Sequence, residues 1–380
     1  MSSLRLVTLG VGLAAAGAGA VLGYGAERLA VGRPVLPGHR SPRREVPLGS
    51  LRGRPVVVRA GDGTELHAEV DDLPEDEARR AAEQGRPTVV LSHGYALNLD
   101  FWHTQRLALR GRYRLVLWDQ RGHGRSERGP VGSATIDQLG EDLEAVLAAT
   151  CPRGPLVLLG HSMGGMTIMA LAARDPDLVA ERVVATALVS TSAGGMEAND
   201  FGLAALAPAL RRVAPTALGL LSRRAPLVER TRALGGDLET LLVRHWSFAS
   251  DVPEDVVDFT ARMIAATRIE VIDDFFPAFA RHDKAEALDA LAGGEVLVLV
   301  GADDLLTPPS HSEEIVRRLP GAEHVVVPQA GHLVPLEHPD VVQQAVEGLL
   351  RRGERLVTHD RGRAVDAPDD AAGGGAGGTA

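Results

Sequence analysis

Residues 156–166 read Leu-Val-Leu-Leu-Gly-His-Ser-Met-Gly-Gly-Met, and the reading of this stretch decides the fold. The apolar run Leu156 to Leu159 leads in as a strand, and the Ala/Met-rich stretch that ends at Arg174 leaves as a helix. Between them Gly160-His161-Ser162-Met163-Gly164 places G-x-S-x-G at a strand–turn–helix corner, which reads as a nucleophile elbow. A strand that turns sharply into a helix forces its corner residue into a strained backbone conformation. The residues two before and two after must be small, because strand and helix approach too closely for a Cβ. Ser162 then holds its hydroxyl at the tip, at the positive end of the helix dipole. The five residues alone also fit a Gly-rich turn without chemistry, so the rest of the chain must decide.

Outward from the corner, apolar runs at 88–92, 114–118, 183–189, 296–300 and 324–327 alternate with helical stretches near 102–110, 136–149, 163–174, 310–318 and 341–351. Unbroken apolar strands separated by helices predict an α/β architecture, a mostly parallel sheet with helices on both faces. A hairpin of strands 55–59 and 65–70 around Gly61-Asp62-Gly63 starts the folded part, and 71–86 reads as a charged surface loop or short helix. The alternation is interrupted once. Residues 191–294 show only helical pattern broken by Pro and Gly, which predicts an inserted helical cap. Six of the seven Phe lie there, at 201, 248, 259, 275, 276 and 279. A lid over an apolar acyl pocket is the functional reading, and filling the cap's own core is the expectation for most of them. The domain plan is therefore 1–54 as hydrophobic segment and Arg/Pro-rich linker, 55–190 with 295–352 as core, 191–294 as cap, and 353–380 as a disordered tail rich in Gly at its end.

The chain has 380 residues, 45% hydrophobic and 24% charged, with a net charge of −10, so it is globular and carries no nucleic-acid footprint. Cys151 is the sole cysteine, which rules out an intramolecular disulfide. Leu6 to Gly25 is twenty residues without a charge, roughly 30 Å as a helix. Arg28, Arg33, Arg40, Arg43 and Arg44 follow it closely, and positive charge there disfavours export of what comes after. The expectation is membrane association through this segment as an anchor, with the catalytic part cytoplasmic. The alternative is a signal peptide, cleaved after Ala18-Gly19-Ala20, and an exported protein.

A serine hydroxyl is a weak nucleophile. It needs a base, the base needs an orienting acid, and the developing oxyanion needs donors. After the run at 296–300 comes Gly301-Ala302-Asp303-Asp304-Leu305-Leu306-Thr307-Pro308, where either Asp offers the carboxylate. After 324–327 comes Gln329-Ala330-Gly331-His332, which offers the base. His93-Gly94-Tyr95 follows the run at 88–92 and can supply a backbone N–H.

These pieces, with Asp119-Gln120-Arg121-Gly122-His123-Gly124-Arg125-Ser126, resemble the α/β-hydrolase fold superfamily from about residue 55 to 352, in its serine esterase and lipase-like branch. The resemblance implies Ser162 as nucleophile, His332 as base and Asp304 as its partner, with the N–H groups of Tyr95 and Met163 forming the oxyanion hole. It implies His93, His123 and His161 as packing, turn or hydrogen-bonding residues. No cofactor is implied, and no His-Glu spacing on a helix suggests a metal. Relatives that open epoxides use Asp as nucleophile, whereas this chain has Ser162. The expected reaction is hydrolysis of a carboxylic ester or similar acyl bond in a small, apolar substrate through an acyl-enzyme. Carbon–carbon bond hydrolases and cofactor-free perhydrolases share the triad. A non-catalytic hydrolase-fold binding protein is the reading from another class.

Overall fold

Alternate residues of each central strand leave for opposite faces of one sheet, as the two-residue period of a strand requires. Val89, Leu91, Leu115, Leu117, Val157, Leu159, Leu297 and Leu299 enter one core. Their neighbours Val90, Val116, Leu158 and Val298 enter another on the opposite face. Buried on both sides, such strands cannot show hydrophobic–polar alternation, which is why the sequence reads as continuous apolar runs.

The computed structural model describes residues 45–196 and 243–366, with side chains as far as Thr358. The segment from Leu6 to Gly25, Phe201 and the residues from 367 on lie outside that set. No helix among the described residues is long and apolar enough to cross a membrane.

The strands are β1 (Arg54–Arg59), β2 (Glu65–Asp71), β3 (Thr88–Ser92), β4 (Leu115–Trp118), β5 (Leu156–His161), β6 (Val183–Val189), β7 (Glu295–Gly301) and β8 (Glu323–Val327). They form one sheet in the order β1-β2-β4-β3-β5-β6-β7-β8. β1–β2 and β2–β4 pair antiparallel, and the other pairs are parallel. The helices are α1 (Glu75–Gln84), α2 (His103–Leu109), α3 (Ile136–Thr150), α4 (Met163–Arg174), α5 (Pro176–Arg182), α6 (Glu254–Ala266), α7 (Ile269–Ala280), α8 (Pro309–Arg318), α9 (Val334–Glu337) and α10 (Pro339–Asp366). Residues of α2, α6, α9 and α10 fill the first core, and residues of α3, α4, α5 and α8 fill the second. The strand order reverses at β3, which has β4 on one side and β5 on the other. A crevice opens outside the carboxyl ends of strands at such a switch point, and ligands of α/β sheets bind there.

Several expectations shift. Within 191–294 the described residues hold no strand, only a helical run at 243–247, α6, α7 and a 3-10 turn at Glu286–Leu291. They do not build a separate core. Phe248, Phe259, Val256 and Met263 join the first core with Phe101, Trp102 and Leu336. Phe275 packs with Met163, Met166 and Ile136, and Leu288 and Leu291 join Ile168 and Met169 in the second core. Among the described residues of this segment, apolar side chains are buried against the sheet's own cores. The C-terminal helix α10 runs to Asp366, so the segment read as tail from 353 is helical over its first part. α5 was not foreseen: Asp175 caps it through Leu178 N at 2.9 Å and Pro176 starts it, a signal carried by two residues of a short element.

The stretch before β1 is tied down from Leu48 on. Gly53 N donates to Glu69 Oε2 at 2.9 Å, Arg52 pairs with Asp100 at 2.8 Å, and Leu48 packs on the first core. Two buried ion clusters fix the loops around it. Arg106 makes a two-pronged pair with Asp71 at 2.8 Å for each bond and also reaches Glu69 at 2.8 Å. Arg121 does the same with Asp142 at 2.6 Å, while reaching Asp62 in the β1–β2 turn at 2.8 Å. Removing one partner from such a pair leaves a buried charge uncompensated, at roughly 3–5 kcal/mol.

Candidate active site

Four non-glycine residues among those described have positive φ: Ala96 (57°), Ser162 (52°), Ser190 (45°) and Gln329 (53°). All four lie just beyond the carboxyl ends of strands, after β3, β5, β6 and β8 respectively. Such conformations cost about 1–3 kcal/mol each and persist only where the surroundings impose them. They collect on one edge of the sheet.

At Ser162 the surroundings are plain. With φ 52° and ψ −117° it caps α4 between strand and helix. Its N–H donates to Val189 O at 2.9 Å, and its carbonyl accepts from Gly165 N at 2.9 Å and from Thr191 Oγ1 at 2.7 Å. The flanking glycines are demanded by space. A Cβ on Gly160 would stand 2.5 Å from Gly164 O, and one on Gly164 would stand 2.1 Å from Ser92 O. Register does the rest: Ser92 of β3 pairs with Gly160 of β5, which sets the His93-Gly94-Tyr95 turn beside the corner. A Cβ on Gly94 would lie 2.6 Å from His161 Nδ1 and 3.3 Å from Ser162 Cβ.

His332 arrives from the loop after β8. Its Nδ1 lies 3.1 and 2.9 Å from the two oxygens of Asp304, in the loop after β7. Both residues are buried. Leu306 N and Thr307 N donate to Asp304 Oδ1 at 2.8 and 2.9 Å, and Thr307 Oγ1 donates to Oδ2 at 2.9 Å. Burial pushes a carboxyl up, but the neighbouring His332 ring and these N–H donors outweigh it and hold Asp304 below the ordinary carboxylate range. A carboxylate there assigns the proton to Nδ1 and leaves the lone pair on Nε2. Asp303 is exposed, and only its backbone is engaged, through N–H to Ala330 O at 2.9 Å. The two adjacent carboxylates are thus separated: Asp304 faces His332 and Asp303 faces solvent.

His161 joins the two halves. Its ring stands 4.9 Å from that of His332, and its Nε2 donates to His332 O at 3.0 Å. Burial and the adjacent His332 keep His161 neutral, well below its ordinary value. The described hydrogen bonds do not include one between Ser162 Oγ and His332 Nε2; in unliganded hydrolytic sites that contact is often long and tightens on substrate binding.

Met163, the first residue of α4, and Tyr95 donate their backbone N–H to no other group among the described hydrogen bonds. The Tyr95 hydroxyl donates to Ile272 O of α7 at 2.5 Å and its ring packs on Phe279 at 5.0 Å, so α7 holds the loop that carries Tyr95. His93 and His123 stand behind it. Gln120 N donates to His93 Nε2 at 3.0 Å, which fixes His93 as the Nδ1–H tautomer facing Gly94 O at 2.7 Å. Burial lowers His93 to about 3 and His123 to about 4, so both are neutral scaffold. Among the described residues no three His, Cys, Asp or Glu side chains could hold a metal ion.

The fold thus brings Ser162, Met163, Tyr95, Asp304 and His332 to one edge of the sheet. Sequence reasoning gave no role to Thr191, Thr307 or Glu337. Thr307 entered only as a member of the stretch Gly301 to Pro308. Glu337 bonds to residues 87 and 88 positions away in the chain, and no local pattern announces such a contact.

A strained serine between β5 and α4, a buried carboxylate–imidazole pair after the last two strands, and a doubly covered parallel sheet define a hydrolase scaffold. The chain belongs to the α/β hydrolase fold family, whose pattern it matches over residues 87–339. It is 29% identical over 267 residues to the protein named "Putative carbamate hydrolase RutD" of Caulobacter sp. (strain K31), covering 70% of this chain and 91% of that one. It is 29% identical over 275 residues to 3-oxoadipate enol-lactonase 2 of Acinetobacter baylyi, covering 70% and 90%. Among solved structures, a thermophilic esterase from Thermogutta terrifontis superposes with a TM-score of 0.59 at 27% identity, over 79% of this chain and 99% of that one. These are hydrolases by name, and this chain is a hydrolase of their fold.

Proposed function

We propose that this protein hydrolyses carboxylic esters, or similar acyl bonds, through an acyl-enzyme on Ser162. The observation that carries the proposal is the positive-φ corner at Ser162, whose chain neighbour His161 has its ring 4.9 Å from that of His332, an imidazole whose Nδ1 is held by the buried Asp304 at 2.9 Å. His332 Nε2 takes the proton from Ser162 Oγ as the oxygen attacks the acyl carbon. The carbonyl π electrons move onto oxygen, where the N–H groups of Tyr95 and Met163 receive the charge. Collapse of that intermediate breaks the bond to the leaving alkoxide, which collects the proton from His332. Water then repeats the sequence on the acyl-enzyme and releases the acid. Asp304 stays ionised, holding the tautomer and stabilising the imidazolium. An apolar acyl group is part of the proposal, supported by half-buried Phe279 of α7, which packs on Tyr95 and on the apolar cluster that holds Met163.

Carbon–carbon hydrolysis and perhydrolysis use the same three residues. Kinship with proteins named for carbamate and enol-lactone substrates favours an acyl bond to a heteroatom. The test is turnover of p-nitrophenyl esters of graded chain length, a lactone and a carbamate, with Ser162→Ala as blank. Ester or lactone cleavage that vanishes in the variant is the expected result. A protein that turns over none of them contradicts the proposal.

A further inference from the structure

The loop that carries His332 is clamped from behind by one carboxylate. Glu337, the last residue of α9, accepts from Gly331 N through Oε2 at 2.6 Å. Its other oxygen, Oε1, accepts from the cap: Ala249 N at 2.8 Å, Ser250 N at 2.5 Å and Ser250 Oγ at 2.7 Å. The same two segments touch directly. Leu333 N donates to Ser247 O at 2.9 Å, and a Cβ on Gly331 would stand 2.8 Å from Ser247 O and 3.0 Å from Ala249 N. The residues on either side of His332 are therefore both bonded to the cap chain, one directly and one through Glu337.

We infer that Glu337 is a positioning residue for His332: its carboxylate bolts cap residues 247–250 to the base loop, so that the seating of the cap sets where Nε2 stands relative to Ser162. The inference rests on the roles proposed above for Ser162 and His332. A carboxylate suits the post because four donors converge on it from two sides and it has acceptor capacity at both oxygens. A carboxamide of the same shape has one acceptor oxygen. Whichever way it is turned, its NH₂ meets a backbone N–H, either of Gly331 or of Ala249 and Ser250. The bolt would then open on one side. A displacement of about 1 Å at a reacting group costs up to about a hundredfold in rate.

The test is saturation kinetics of a fluorophosphonate probe on the full-length protein, with the folded fraction read by circular dichroism. If folded wild type does not label at Ser162, the reading of the nucleophile fails before this one is reached. Where wild type labels, Glu337→Gln is expected to lower the limiting inactivation rate about tenfold or more, with probe affinity unchanged within about twofold. A purely structural role would lower the melting temperature and leave the rate per folded molecule at the wild-type value, and that result overturns the inference. A loss confined to probe affinity overturns it too. Should Glu337→Gln not fold, Ser250→Ala decides, since it removes one bond of the four. Its limiting rate is expected to fall about threefold, in line with one hydrogen bond, and an unchanged rate overturns the inference.

Discussion

Asp303 and Asp304 are neighbours with the same side chain, and their environments assign them different work. Asp304 is buried, receives two backbone N–H groups and the Thr307 hydroxyl, and faces His332 Nδ1. Asp303 is exposed. Asp304→Asn keeps an oxygen for Leu306 N and Thr307 N, so the variant should fold. It replaces the carboxylate that fixes the imidazole tautomer with an amide. In serine proteases that change costs about 10⁴ in kcat, and a loss of about 10³–10⁴ in ester turnover is expected here. Asp303→Asn should stay within about twofold of wild type, as surface substitutions generally do. Steady-state kinetics of the two purified variants, with melting temperatures alongside, checks this. Comparable losses in both would mean the geometry has been misread.

Elements were legible where a single strong period ran through them. The strand at 88–92 and the helix from Met163 to Arg174 have the bounds their apolar runs and glycines suggest. The strained corner at Ser162 was legible because its glycines are forced by close approach: no other residue leaves room for Ser92 O and Gly164 O. What the sequence hid was contact between distant segments. Asp71 looks like the start of a charged surface loop, yet it ends β2 and is buried against Arg106, thirty-five residues away. The Phe residues of the insertion look like a separate core, yet Phe248 and Phe259 lie with Trp102 and Leu336. The helix α10 extends to Asp366 through a stretch whose Arg, Asp and Gly give no apolar period to read. For Asp71, Phe248 and Phe259 the deciding partner lies elsewhere in the chain, where no local pattern can show it.

On the scale of the whole molecule, the site's scaffold makes stability depend on pH. His93 and His123 titrate near 3 and 4 in the folded state against 6.5 when unfolded, and His161 is also lowered, each chiefly through burial. As pH falls, the unfolded chain takes up these protons first. The stability they contribute is complete above about pH 6.5 and drains as pH drops toward their folded values. Asp119, which burial raises to about 6, works the other way and offsets one proton in part of the same window. Burial also lowers His282 and His311 and raises Asp100 and Asp142, so among the described residues five lowered histidines stand against three raised carboxyls. The balance is a net uptake on unfolding, on the order of 1–2 kcal/mol per uncompensated histidine by pH 5. Urea unfolding at pH 7 and pH 5 should show the midpoint falling with pH, and an equal or higher midpoint at pH 5 would contradict the buried neutral histidines. The central claim, that the strained corner holds the nucleophile, is tested most directly by intact-mass and peptide mass spectrometry after exposure to a fluorophosphonate. One adduct per molecule is expected, located on Ser162 and absent from Ser162→Ala. An unmodified wild type, or an adduct that persists in the alanine variant, would contradict it.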